Sequence, residues 1–188
     1  FHTFLAERSE ESYMFQHDSF RHYFCAEALF LAIGTNDLKL FRIPFLEAEI
    51  ILLLKDMIGE KHLAILEGWL DSGSVDAIAV RKYAVILLGF SGKIYARLER
   101  GETCNTDIYR VVEKLEAVIA FYTNQADDHE VDHLIKHTKL SIGILGRKTY
   151  QQDYLAIVEE KDYSHKWYAL MAIKKLVENH LVSADDYK

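Results

Sequence analysis

Apolar positions change period abruptly between Tyr13 and Phe30, in YMFQHDSFRHYFCAEALF, and one amphipathic stretch after another follows. Tyr13 and Phe15 alternate with Met14 and Gln16, as on the two faces of a strand. From Asp18 onward Phe20, Phe24, Ala28 and Leu31 recur at three- and four-residue steps, which predicts a helix with an aromatic face from Asp18 to about Ile33. Asp18 and Ser19 are expected to cap it through their side-chain oxygens, and Gly34 and Asn36 suit a left-handed cap at its far end. Ahead of it, Phe4 to Glu7 and Tyr13 to Gln16 read as strands joined by a polar turn, Ser9 to Ser12. Such a hairpin needs a neighbour to be stable.

Helical spacing then dominates. Pro44 suits a first turn, followed by Phe45 to Met57 with Leu46, Ile50, Leu53 and Leu54 as the apolar face. Glu60 to Leu70 carries Leu63, Leu66, Trp69 and Leu70, and Asp71-Ser72-Gly73 closes it. A helix from Ser74 or Val75 to Leu88 uses Ala77, Val80, Ala84, Leu87 and Leu88, with Arg81 and Lys82 marking a more polar side. Residues 90–98 do not decide between a short helix and an irregular turn. Further helices are expected at Asp107 to Tyr122, His129 to Leu145, Thr149 to Glu160 and Ser164 to Leu181. Their short connections favour antiparallel neighbours. Lys82 to Gly89 aligns with Lys139 to Gly146, and Tyr168 to Ile173 fits the same register. Each reads as the inner helix of a pair in which small and aliphatic residues alternate, so that successive pairs stack. The segment Val80 to Gly89 resembles the second helix of HEAT-type repeats, and three matches in register predict an α-solenoid or a similar stack.

Composition narrows the picture. With 188 residues, half of them hydrophobic, the chain can bury a core without staples. Its two cysteines, Cys25 and Cys104, form no secreted disulfide framework and read as small buried hydrophobes in a reducing, cytoplasmic setting. No apolar run reaches membrane-spanning length, and no signal peptide is evident. The opening Phe1 predicts a piece of a longer protein. A net charge of −7 argues against nonspecific binding of nucleic acid, which needs accumulated Lys and Arg.

His129-Glu130-Val131-Asp132-His133 is a literal H-E-x-x-H, in which two histidines one turn apart bind zinc and the glutamate activates water. A zinc-protease helix lies buried under its site and usually carries uncharged middle residues, and Asp132 breaks that habit. A third ligand would have to be a distant acid such as Glu159 or Glu160. His137 extends the stripe, but three ligands in a line along one helix cannot wrap a tetrahedral ion. The expected state is a solvated or capping histidine face; His129 and His133 are the metal candidates and no metal is assigned. No G-x-x-x-x-G-K-[ST] loop, G-x-S-x-G elbow or Cys–His pairing with recognisable context occurs, so no catalytic residue is assigned and the chain is not expected to be an enzyme by itself.

Residues Tyr13 to Leu29 resemble the end of the winged-helix region of NACHT-type STAND NTPases, where a pattern like F-x-H-x-S-F-Q-E-Y-F-A-A-x-x-L recurs. Phe15, His17, Ser19, Phe20, Tyr23, Phe24 and Ala26 match it, while Arg21 and His22 stand where Gln-Glu is common. The resemblance implies a mainly α fold in which residues 1–40 end a winged helix, hairpin included, and residues 41–188 form a HEAT-like sensor array. It implies that His17 contacts ADP phosphate in the intact protein, that ADP or ATP with magnesium serves the parent and not this segment, and that an upstream nucleotide-binding domain of the same chain is its partner. A protein or ligand trigger, oligomerisation and defence signalling follow from the same resemblance. A histidine at a strand-to-helix junction can present an N–H to an anion beside a helix N-terminus, or hydrogen-bond within the fold. The alternatives are a free-standing HEAT-like scaffold and a zinc hydrolase through His129 to His133.

Overall fold

Eight of the amphipathic stretches form α-helices among the described residues, so the chain is mainly helical. A computed structural model describes residues 5–9, 12–15, 17–42, 47–71, 78–92, 108–125, 128–160 and 165–181. The chain divides into two compact units, Phe1–Ile58 and Gly59–Lys188.

In the first unit the backbones of β1 (Leu5–Ser9) and β2 (Ser12–Phe15) pair antiparallel, Leu5 opposite Phe15 and Ser9 opposite Ser12, with a register shift between Glu7 and Ser9. Phe4, Glu10, Glu11 and Gln16 lie outside the described residues. α1 (Asp18–Gly34) packs on α2 (Ala48–Met57), and a 3-10 turn, Leu38–Arg42, lies between them in sequence. The stripe that α1 buries is not the aromatic one. Ala26, Leu29, Ala32 and Ile33 are buried, whereas Phe24 is 42% and Leu31 60% exposed. Apolar residues surround most of this helix, so spacing alone selects two stripes. α2 contributes Ile50, Ile51 and Leu54 to the core, and Leu53 of the expected face is only half-buried. Pro44, Phe45 and Leu46 lie outside the described residues.

The helix ends correct one cap and support another. Asp18 and Ser19 are already helical; His17 holds the N-cap position with extended backbone and no side-chain cap bond. At the other end Asn36 takes φ of 56°, its N–H bonding Ile33 O at 3.0 Å while Asp37 N–H bonds Ala32 O at 2.8 Å. These paired bonds satisfy two carbonyls that the helix leaves over.

The second unit holds α3 (Glu60–Leu70), α4 (Ile78–Phe90), α5 (Ile108–Tyr122), α6 (His129–Ile144), α7 (Gln151–Glu159) and α8 (Lys166–Glu178). α3 packs on α4, α5 on α6 and α7 on α8, while α4, α6 and α8 contact one another in sequence as an inner row. That row contains the three segments whose sequences align. α3 and α5 bury the expected residues, among them Leu63, Leu66 and Trp69, and Val111, Leu115 and Val118. Each such Leu or Val contributes roughly 1.5–3 kcal/mol by leaving water.

α4 differs from its expectation: every residue from Val80 to Gly89 is buried, Arg81 and Lys82 included, because α3 and α6 cover it from different sides. Small residues bring the inner helices together. A Cβ on Gly89 would stand 2.7 Å from Ser141 Cβ, and one on Gly143 would stand 2.7 Å from Ala172 Cβ. α6 ends on Gly146 at φ 87°, where Gly146 N–H reaches Gly143 O at 2.8 Å and Arg147 N–H reaches Ile142 O at 3.1 Å. The expected starts at Ser74 or Val75 and at Ser164, residues 93–98 and Cys104 lie outside the described residues.

Candidate functional site

Four side-chain groupings carry chemistry, two in each unit. His17 is exposed at the start of α1, its ring centroid 6.2 Å from that of Phe20, and its carbonyl accepts from Phe20 N–H at 3.1 Å. One turn on, Arg21 and His22 converge on Glu47, the N-cap residue of α2. Arg21 Nη1 donates to Oε1 at 2.6 Å and Nη2 to Oε2 at 2.9 Å, while His22 Nε2 lies 2.7 Å from Oε2. The bidentate guanidinium holds the Glu47 carboxyl well below its usual range, at about 2, with His22 adding to the effect against partial burial.

His22, Glu47 and Glu49 bring three potential ligand atoms within 4.8 Å of one another, the one such group among the described residues. Arg21 occupies both oxygens of Glu47, so a cation there would meet a positive charge in place. Arg21 and His22 thus tie α1 to α2. Beside them Phe20, Tyr23, Phe24, Leu52 and Leu53 line an open apolar groove of about 690 Å³.

In the second unit the i, i+4 spacing along α6 stacks His129, His133 and His137. The structure adds His165, the N-cap residue of α8, whose ring centroid lies 4.6 Å from those of both His133 and His137. Nothing in the sequence around His165 marks it. The row runs from water into the core: His129 is exposed, His133 half-buried, and His137 and His165 buried, with Tyr168 edge-on to His137 at 5.0 Å. The expectation of a solvated or capping face therefore fails for His137, because α8 covers that end of the stripe. The cap of α6 is Asp128, which accepts from Glu130 N–H at 2.9 Å.

Burial, then His165, Lys82 and His133, push the His137 imidazole well below its ordinary pKa. His133 is lowered by burial first and by His129 second. Burial also lowers the Lys82 ammonium from α4, against the attraction of Glu130. The outcome at the buried end is a neutral His137 imidazole, and its Nδ1 has no hydrogen-bond partner among the described residues. His129 and His133 set their Nε2 atoms 3.1 Å apart, close to the roughly 3.3 Å between two ligands of tetrahedral zinc. No third His, Cys, Asp or Glu among the described residues joins them, and Glu160 is paired with Lys136 at 3.4 Å.

Arg81 is the fourth feature. It is buried on α4, donates from Nη1 to Tyr122 Oη, and has its guanidinium carbon 5.6 Å from the Tyr122 ring centroid. Its Nε has no hydrogen-bond partner among the described residues. Together with Lys114 it faces a cavity of about 270 Å³. Sequence spacing had given this residue to a polar surface. No helix among the described residues is long and apolar enough to cross a membrane. No family model, curated protein or solved structure matches the chain.

Proposed function

We propose that the chain is a non-catalytic regulatory segment of a NACHT-type STAND NTPase: the end of a winged helix followed by a HEAT-like sensor array. The observation that carries this reading is His17, set in the family-like run from Phe15 to Ala26 and exposed at the N-cap of α1 with its side chain uncommitted to capping. From there an imidazole N–H and the helix amides can address the same anion, the phosphate of a bound ADP. The exposed Tyr23, Phe24 and Leu31 and the groove beside them suit an adjoining nucleotide-binding domain of the same cytoplasmic protein. The three stacked helix pairs support a HEAT-like array, which would sense a protein or ligand and bias the nucleotide switch toward oligomerisation and signalling in defence. ATP and magnesium belong to the parent in this reading, and the segment alone neither hydrolyses nor tightly binds ATP.

The test is His17→Ala in the intact protein, with resting signalling output and retained ADP as readouts. The reading expects higher resting output and faster ADP loss; unchanged values for both would refute it. A free-standing HEAT-like scaffold is the competing reading, since stacked pairs serve it equally, and a parent without an upstream phosphate-loop domain would favour it.

A further inference from the structure

Arg81 is a permanent charge set where the surrounding helix is apolar, and no carboxylate among the described residues pairs with it. A buried cation in that state is costly unless something negative joins it, and a neutral phenol oxygen from Tyr122 answers only one of its five N–H groups. We propose that the cavity it faces, between α3, α4 and α5, binds a small organic carboxylate, with the carboxylate on Arg81 and the apolar body against Leu70, Val118 and Phe121.

Three features support this choice. The planar guanidinium fork matches a carboxylate in shape as well as charge. Among the described residues the charges at the cavity are Arg81, Lys114 and Asp71, the last two paired at 2.9 Å, which leaves one positive charge of this set for a monoanion to neutralise. At about 270 Å³ the cavity falls just below the ~300 Å³ at which drug-sized sites begin, so the ligand is small. The inference stands on the second unit alone and does not depend on the role proposed for His17.

Calorimetric titration of the 188-residue protein with benzoate, at constant ionic strength, tests it. Benzyl alcohol, inorganic phosphate and phenyl phosphate serve as comparison ligands. Benzoate is expected to bind saturably at one site, more tightly than any of the three. Arg81→Met should weaken it by at least about tenfold, as loss of a charge-assisted pair does. Ala117→Trp should do the same without touching a buried charge, because Ala117 is an exposed residue on the cavity wall. This second variant decides the matter if Arg81→Met does not fold. Absence of saturable benzoate binding, equal binding by the Ala117→Trp protein, equal binding of benzyl alcohol, or tighter binding of either phosphate would overturn the proposal.

Discussion

Gly89 and Gly68 receive the same substitution with opposite expected results, because only one faces a neighbouring helix. In Gly89→Ala the new Cβ would stand 2.7 Å from Ser141 Cβ, 2.8 Å from its Oγ and 2.9 Å from its Cα. Apolar carbons rest at about 3.5–4.0 Å, so the contact must open by about 1 Å. Turning the Ser141 side chain does not relieve a clash with its backbone, and α4 has to move from α6. Overpacking of this kind costs about 1–3 kcal/mol, while replacing a helical glycine returns up to about 1 kcal/mol. With the full return subtracted, the net expectation is a loss of up to about 2 kcal/mol. Gly68→Ala meets nothing within 4 Å, so only the propensity gain remains and the variant should be more stable by up to about 1 kcal/mol. Equilibrium urea unfolding measures both, with an unchanged m-value showing that the states compared are the same. The reasoning is refuted if Gly89→Ala is as stable as the parent, or if both variants move in the same direction.

Two further expectations concern protonation and backbone strain. The buried His137 has a folded pKa well below its unfolded value of about 6.5, so it favours folding fully above that value and progressively less as pH falls toward the folded pKa. Urea titrations from pH 7 to 5 should show stability falling by up to about 1.4 kcal/mol per pH unit from this residue, on top of a smaller contribution of the same sign from His133. His137→Gln should flatten that slope; a variant whose profile runs parallel to the parent's would contradict the assignment. At the end of α8, His180 takes φ of 54° while its N–H reaches Val177 O and Leu181 N–H reaches Leu176 O, each at 3.0 Å. His180→Gly keeps those bonds and removes the Cβ conflict, so thermal unfolding should show a gain of about 0.5–1 kcal/mol, and a lowered midpoint would count against it.

How much the sequence revealed depended on how evenly a helix distributes its apolar residues. α5 and α3 have one clear stripe each, and Val111, Leu115 and Val118, or Leu63, Leu66 and Trp69, are the residues that the structure buries. α1 is apolar on several sides, so the aromatic spacing of Phe20, Phe24 and Leu31 was visible while the burial of Ala26, Ala32 and Ile33 was not. Small residues give little weight to a hydrophobic pattern, yet they allow close approach to α2. Arg81 and Lys82 defeat the pattern in another way: charge marks a residue for the surface, and only the helices on either side of α4 put these two inside. For the histidines, local spacing brought His129, His133 and His137 together, but His165 joins them through tertiary packing that no local window contains.

The close approaches of Gly89 to Ser141 and of Gly143 to Ala172 also govern how this chain can diverge. An enlarged side chain at one member of such a pair must be matched by a reduction at the other, whereas exposed positions such as Ala117 or Leu170 are under no such restriction. Descendants of this array would therefore drift quickly on their outer faces and change the inner seam in coupled steps that conserve summed volume. Kinship along it is better sought in the combined size of paired positions than in residue identity.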